Sequence, residues 1–399
     1  VVFSTSSAAF EGAANAGAAA LCVSRTQSAI FYFSALGERV LAYVIIFLAG
    51  LGVSIVLTPF IRSRLLRHGV VDKPDVRKVH TKDIPRLGGL AIYAGFCVAM
   101  ATAFFRYPSL FEEKEIQMLG LLVASTFIVA IGAIDDVVNI RPWIKLACQV
   151  AAAIILMLFN YNIEAIANPF GGNIELGFWS YPFTIVWVIG VINAINLVDG
   201  LDGLASGVGL IIAMTIFLIS IYFGKAYAAL LSIGLTGALV GFLRHNFYPA
   251  KIFMGDSGSM FIGLVIAALG LVSSQKAAIS FAIVVPIITL GYPIVDTALA
   301  IVRRAKARRS IFVADREHIH HLLMSYGYSH QKTVIVLYII CLFFGIMALL
   351  YAFYSHYSNF ILGVLFFVTL FIVLFVRILA AIRSTTRSSE TEVEEKQDA

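Results

Sequence analysis

Charge is scarce in this sequence. Of its 399 residues only 13% are Asp, Glu, Lys or Arg, about half the share of a water-soluble domain, which excludes a large soluble globule. Cysteine is scarcer still: Cys22, Cys97, Cys148 and Cys341 are scattered, and three of them fall inside apolar runs. Neither a disulfide framework nor a cysteine zinc site is indicated. The opening residues 1–29, rich in Ala, Ser and Gly, lack the basic region of a signal peptide. No fixed-period repeat is visible. What is abundant is apolar: 60% of residues are hydrophobic and the mean hydropathy is +0.91.

At roughly 20 apolar residues per crossing, the runs predict about eleven transmembrane helices. They lie near 40–60, 87–105, 117–134, 143–159, 180–197, 203–223, 226–243, 257–274, 277–302, 333–354 and 359–379. The fold class expected is an all-α integral membrane protein. Residues 40–380 form its polytopic domain, 1–39 a poorly ordered N-terminal segment, and 381–399, ending in TEVEEKQDA, a disordered tail. Pro286, Gly291 and Pro293 predict one kinked or broken helix near 286–296. Residues 161–179 alternate around Gly171-Gly172 and predict a small hairpin. The connections on one side carry 23 Lys and Arg against 6 on the other, which makes the richer side cytoplasmic, the N-terminus outside and the C-terminus cytoplasmic.

The unusual polar clusters all fall on that cytoplasmic side. Asp135 and Asp136 end the third span, where the helix dipole is already negative, and need a nearby cation. Asn193, Asn196 and Asp199 end the fifth span along one helical strip, with Asp202 just beyond. Carboxylate and amide oxygens gathered this way suit a hard cation such as Mg²⁺. The plain alternative for any one cluster is pairing with Arg or Lys, or helix capping. In MGDSGS, Asp256 is flanked by glycines, and Ser257 and Ser259 open the eighth span, an N-terminus suited to phosphate. Alone, that motif reads as an ordinary Ser/Gly cap on a transmembrane helix.

Two basic segments complete this face. VVDKPDVRKVHTKDIPRLGG carries Arg77, Lys78, His80, Lys82 and Arg86, and reads as more than a lipid anchor because of His80 and the stiffening Pro74 and Pro85. RRAKARRSIFVADREHIHHLL ends in His318, His320 and His321 beside Arg316. Three close histidines suit either a metal or phosphate and sugar hydroxyls, and anion binding is the reading favoured here. Asp296, shortly before the basic run, reads as a structural partner of Arg303 or Arg304.

DKPDVRKVHTKDIPRLGG, AIDDVVNI, NAINLVDGLDGLASG, FMGDSGS and DREHIHHLL, in this order and spacing, resemble the polyprenyl-phosphate N-acetylhexosamine-1-phosphate transferases over about residues 40–380. The HIHH form and the opening basic loop are similar to the branch that moves GlcNAc-1-phosphate onto undecaprenyl phosphate, starting O-antigen, enterobacterial common antigen or teichoic-acid linkage units. The resemblance implies that Asp256 binds Mg²⁺, or Mn²⁺ in its place, with Asn196 and Asp199 helping. It implies that Asp135 and Asp136 orient or deprotonate the lipid phosphate, so that Asp135, Asp136 and Asp199 are the catalytic acids. It assigns His318, His320 and His321 to the nucleotide sugar, and Arg77, Lys78, His80 and Arg86 to the lipid phosphate. Asn196, Asp202 and Ser257 join the expected substrate-binding set.

The expected partners are a UDP-sugar, polyprenyl phosphate and membrane lipids, with no nucleic acid, in a homodimer of the bacterial inner membrane. The reaction expected is attack of a lipid phosphate oxygen on the β-phosphorus of UDP-GlcNAc with loss of UMP. A two-step route through a phosphoryl-aspartate at Asp135 or Asp136 is the competitor. UDP-GalNAc, UDP-FucNAc and UDP-MurNAc-pentapeptide stand as alternative donors. A secondary transporter is the alternative from another class, although transporters keep ionisable residues near the bilayer midplane rather than at one set of helix ends.

Overall fold

A computed structural model describes residues 6–72, 83–111, 113–167, 173–274, 284–306, 319–354, 357 and 359–374. Two compact units divide the chain, Val1–Ile45 and Ile46–Ala399. Helix α1 (Ser6–His68) runs through the boundary, and every other element belongs to the second unit. These are α2 (Gly89–Arg106), α3 (Glu115–Val138), α4 (Pro142–Leu158), α5 (Ser180–Val198), α6 (Leu204–Tyr222), α7 (Ala226–Asn246) and α8 (Gly255–Ser274). They are followed by α9 (Val284–Thr289), α10 (Gly291–Lys306), α11 (Ile319–Ser325), α12 (His330–Phe353) and α13 (Asn359–Leu374).

Among the described residues eight helical stretches are long and apolar enough to cross a membrane: Gly37–His68 of α1, α2, α3, Gly177–Val198, α6, α7, Gly255–Val272 of α8, and α12. In a bilayer every backbone polar group must be satisfied within the segment, so long apolar runs become helices. The ninth expected span is broken at Leu290 into α9 and α10, with Pro286 in the first piece and Pro293 in the first turn of the second.

The fold is not purely helical. Ala165–Ala167 (β3) pairs antiparallel with Asn173–Glu175 (β4), which is the hairpin expected at 161–179. A second pair, Val71–Asp72 (β1) with Ile84–Pro85 (β2), was not expected: each strand is two residues long, too short for any alternation to register. The tail 381–399 lies outside the described residues.

Helices α7 and α8 lie inside, each with 89% of its apolar window buried. Helix α8 packs against α3, α5 and α2; α6 packs against α7; and α12 covers α6 and α9. Glycines permit the closest approaches. A Cβ on Gly89 would run into the backbone of Gly258, and one on Gly132 would lie 2.5 Å from Ser257 Cα, so α2 and α3 press directly onto the first turn of α8.

Backbone bonds lock that turn further. Phe253 N–H donates to Pro85 O at 2.8 Å, Gly88 N–H to Phe253 O at 2.9 Å, and Gly89 N–H to Met254 O at 2.8 Å. The stretch leading into α2 is thereby zipped to the stretch leading into α8. Between α3 and α4 the chain turns a tight corner. Asn139 ends α3 in the left-handed region (φ 56°), a conformation Asn tolerates, Arg141 is extended, and Pro142 starts α4.

Candidate active site

The corner between α3 and α4 brings Asp135 and Lys145 together. Asp135 Oδ1 accepts the Ile140 N–H at 2.6 Å, which stitches the turn, and Oδ2 accepts from Lys145 Nζ at 2.8 Å. The same ammonium donates to Asp256 Oδ2 at 2.5 Å. Asp256 Oδ1 in turn accepts the Asn196 Nδ2–H at 2.6 Å, and Asn196 also donates to Ser259 Oγ at 2.8 Å. Side chains from α3, α4, α5 and α8 thus meet at one set of helix ends. At the end of α3 the cation is, in the protein itself, Lys145, which pairs with Asp135 and Asp256.

The strip on α5 divides by depth. One turn inward, Asn193 forms a reciprocal amide pair with Gln149 of α4, its Nδ2 donating to Gln149 Oε1 at 2.7 Å. This pair satisfies two polar groups beneath the acidic cluster, where leaving either unpaired costs about 1–3 kcal/mol. One turn outward, Asp199 follows α5. Burial first, then the carboxylates of Asp256, Asp136 and Asp202, push its carboxyl up to about 8, against a downward pull from Arg86. Asp199, Asp256 and Asp136 therefore share one electrostatic environment.

Asp136 faces elsewhere than its neighbour. Its Oδ1 accepts the Asp256 N–H at 2.8 Å, and Oδ2 accepts the Ser257 N–H at 3.2 Å and the Ser257 hydroxyl at 2.8 Å. This corrects the expectation of a phosphate at the start of α8, because Asp136 already takes up the amides of Asp256 and Ser257. Ser257, expected to meet substrate, is fully buried with its hydroxyl on Asp136.

Asp202 is also engaged. Its Oδ2 accepts the Ala250 N–H at 2.9 Å and its own N–H donates to His330 Nε2 at 3.0 Å, while the His330 ring stacks on Tyr248 at 4.6 Å between centroids. Arg86 pairs with Asp72 at 2.5 Å across the β1–β2 pair. A cavity of about 260 Å³ lies there, lined by Asp72, Arg86, Asp136, Val137 and Asn139 among others. Arg77, Lys78, His80 and His318 lie outside the described residues, as do the side chains of His320 and His321. The helix that carries these last two, α11, begins at Ile319, whose N–H donates to the buried Asp296 Oδ1 at 3.0 Å. Asp296 thus serves this helix, a contact the sequence reading did not include.

The residues present fit a divalent cation. No three His, Cys, Asp or Glu side chains among the described residues form a self-sufficient metal centre, yet Mg²⁺ takes only one or two carboxylates, with waters and substrate phosphates completing its shell. Asp256 and Asp199 would supply those carboxylates, with the Asn196 amide beside Asp256. The raised Asp199 carboxyl marks a place where further positive charge is favourable. Lys145 was overlooked as a site residue; the signal was a lone lysine in the opening turn of an otherwise apolar helix.

Comparison with known proteins identifies the family. Residues 118–274 match glycosyl transferase family 4, a stretch that contains every side chain of the cluster. The chain is 37% identical over 315 residues to the probable undecaprenyl-phosphate N-acetylglucosaminyl 1-phosphate transferase of Bacillus subtilis, covering 79% of this chain and 86% of the relative. It is 36% identical to the decaprenyl-phosphate N-acetylglucosaminephosphotransferase of Mycolicibacterium smegmatis, covering 73% and 77%. It is 30% identical to the undecaprenyl-phosphate alpha-N-acetylglucosaminyl 1-phosphate transferase of Escherichia coli K12, covering 75% and 80%. The chain belongs to glycosyl transferase family 4, among the polyprenyl-phosphate N-acetylhexosamine-1-phosphate transferases.

Proposed function

We propose that this protein transfers GlcNAc-1-phosphate from UDP-GlcNAc to a polyprenyl phosphate, undecaprenyl phosphate in a bacterial membrane, and releases UMP. The observation that carries the reading is the meeting of Asp135, Lys145, Asn196 and Asp256 from four helices at one set of helix ends. The acceptor and sugar named for the relatives support it. A phosphate oxygen of the lipid attacks the donor's β-phosphorus, a new P–O bond forms, and the bond to the bridging oxygen breaks so that UMP carries its electron pair away.

Phosphoryl transfer of this kind needs positioning and charge neutralisation more than covalent help. Lys145, held between two carboxylates, keeps a fixed positive charge at the reaction centre. Asp135 orients the lipid phosphate and accepts a proton from the fraction still monoanionic, a minor fraction at neutral pH because the second pKa of a phosphate monoester is about 6. Asp256, Asp199 and Asn196 would hold Mg²⁺, which when bound neutralises the donor pyrophosphate. The histidines on and before α11 and the basic residues 77–86 would receive the nucleotide sugar and the lipid phosphate.

The eight membrane-length helices, with α4, α13 and the α9–α10 pair, support about eleven crossings. The lysine and arginine bias supports an outside N-terminus, a cytoplasmic C-terminus and a cytoplasmic site. The test is UMP release by purified protein in detergent, with UDP-GlcNAc compared against UDP-GalNAc, UDP-FucNAc and UDP-MurNAc-pentapeptide. Release that requires undecaprenyl phosphate is expected. UDP-sugar uptake into vesicles with no UMP formed would replace the enzyme by a transporter.

A further inference from the structure

The two adjacent aspartates at the end of α3 do different work. Successive residues on a helix are turned by about 100°, and this separates Asp135, which faces Lys145, from Asp136, which reaches across to α8. The first N–H groups of any helix lack intrahelical acceptors and take them from a capping side chain. Neither residue at the start of α8 can supply one. Met254 carries no acceptor of the needed kind, and Gly255, at φ +73°, carries no side chain at all. A Cβ on Gly255 would in fact collide with the Asp136 carboxylate.

Asp136 fills the vacancy from another helix, with both oxygens engaged by Asp256 N–H, Ser257 N–H and Ser257 Oγ–H. One residue is then held at two points. Asp136 grips the backbone of Asp256, whose carboxylate sits on Lys145 and Asn196. Gly132, one turn earlier on α3, lets the helices approach closely enough for this bond.

We infer that Asp136 is a positioning residue, a cap supplied in trans that sets the first turn of α8 and so aims the Asp256 carboxylate, while proton transfer is left to Asp135. The inference rests on the transferase reading only for its kinetic arm. Its structural arm is hydrogen exchange at the amides of Asp256 and Ser257, which needs no substrate.

Asparagine caps helices about as well as aspartate. In Asp136→Asn the retained carbonyl oxygen still accepts from Asp256 N–H, and the new NH₂ donates to the Ser257 hydroxyl, while the Ser257 N–H loses its acceptor. Asp136→Ala leaves both amides without an acceptor. The expected result is that Asp136→Asn keeps the Asp256 amide protected and lowers turnover only about tenfold, while Asp136→Ala exchanges at least about tenfold faster at both amides and loses at least about a hundredfold in turnover. Asp136→Ala should also need more Mg²⁺ for its half-maximal rate, with the KM for polyprenyl phosphate unchanged.

An Asn variant as inactive as the Ala variant, with the Asp256 amide still protected, would show that the carboxylate charge itself is used and would overturn the inference. So would wild-type exchange in Asp136→Ala. Should Asp136→Ala fail to fold, Ser257→Ala, which removes only the hydroxyl bond, is compared with Asp136→Asn, and the double variant should cost no more than the larger single loss. Additive losses would overturn the shared cap. Absence of UMP release from every form, the wild type included, would sink the transferase reading, and the exchange pattern would still decide the cap.

Discussion

Lys145 Nζ lies 2.5 Å from Asp256 Oδ2, joining the opening turns of α4 and α8 across 111 positions of sequence. The lysine side chain is 18% exposed and the aspartate 30%, so the pair is neither in bulk water nor sealed from a substrate. A charge held this way needs little reorganisation when a pyrophosphate arrives, which is the condition for effective electrostatic stabilisation.

Removing that charge leaves Asp135 and Asp256 facing each other without it. Lys145→Met is expected to lower UMP release at least about a hundredfold, the usual scale for loss of a preorganised charge or donor. Lys145→Arg should not restore it, since a planar guanidinium does not reproduce the ammonium between two carboxylates. Steady-state rates in detergent with saturating lipid phosphate check both variants.

The two acids that share the lysine should separate kinetically. Asp256→Asn is expected to abolish nearly all activity and weaken the dependence on Mg²⁺. Asp135→Asn should lose less, and its deficit should shrink as pH rises above about 6, where the lipid phosphate is already dianionic. Turnover measured from pH 5.5 to 8.5, values that bracket about 6, tests this. A phosphoryl-aspartate trapped at Asp135 would replace the one-step scheme.

Asp199 gives a pH dependence of definite sign. Its carboxyl sits at about 8 in the fold against about 3.9 in an unfolded chain, so the folded protein keeps a proton that the unfolded chain has lost. Its contribution to stability is full below about pH 4 and is lost as pH rises through about 8. A divalent cation favours the carboxylate, and its binding below pH 8 should release a proton. Apparent Mg²⁺ affinity is then expected to climb by up to about tenfold per pH unit from about 6.5 to 8 and to level off above. Titration calorimetry in buffers of different ionisation enthalpy should show the proton, and Asp199→Asn should abolish it.

Packing around the first turn of α8 leaves no room for a methyl group. Gly89→Ala drives a carbon into the Gly258 backbone and is expected to destabilise the protein by about 1–3 kcal/mol, the usual range for overpacking. Thermal unfolding in detergent measures this. Activity should fall with it, because the displaced turn carries Asp256.

Much of this arrangement was legible in the sequence. Asp135, Asp199 and Asp256 recur at the ends of apolar runs on the same side, and a shared counter-charge is the simple physical reason for placing them there. The break between α9 and α10 was legible through Pro286, Gly291 and Pro293, whose backbone chemistry does not depend on neighbours. Lys145 was counted only toward orientation, because a tally of charges by side carries no rotation about the helix axis. The division between Asp135 and Asp136 was hidden for the same reason: which one meets α8 depends on a contact 120 positions away. The bond from Asp202 N–H to His330, 128 positions apart, leaves no local signature either.

The paired strands β1 and β2 have a consequence beyond their own two rungs. Asp72 and Ile84 are neighbours in one ladder, and the chain beyond is fastened to Phe253 and Met254. A change that opens the β1–β2 ladder is therefore felt at the entry to α8, because Pro85, on one of its rungs, accepts the Phe253 N–H.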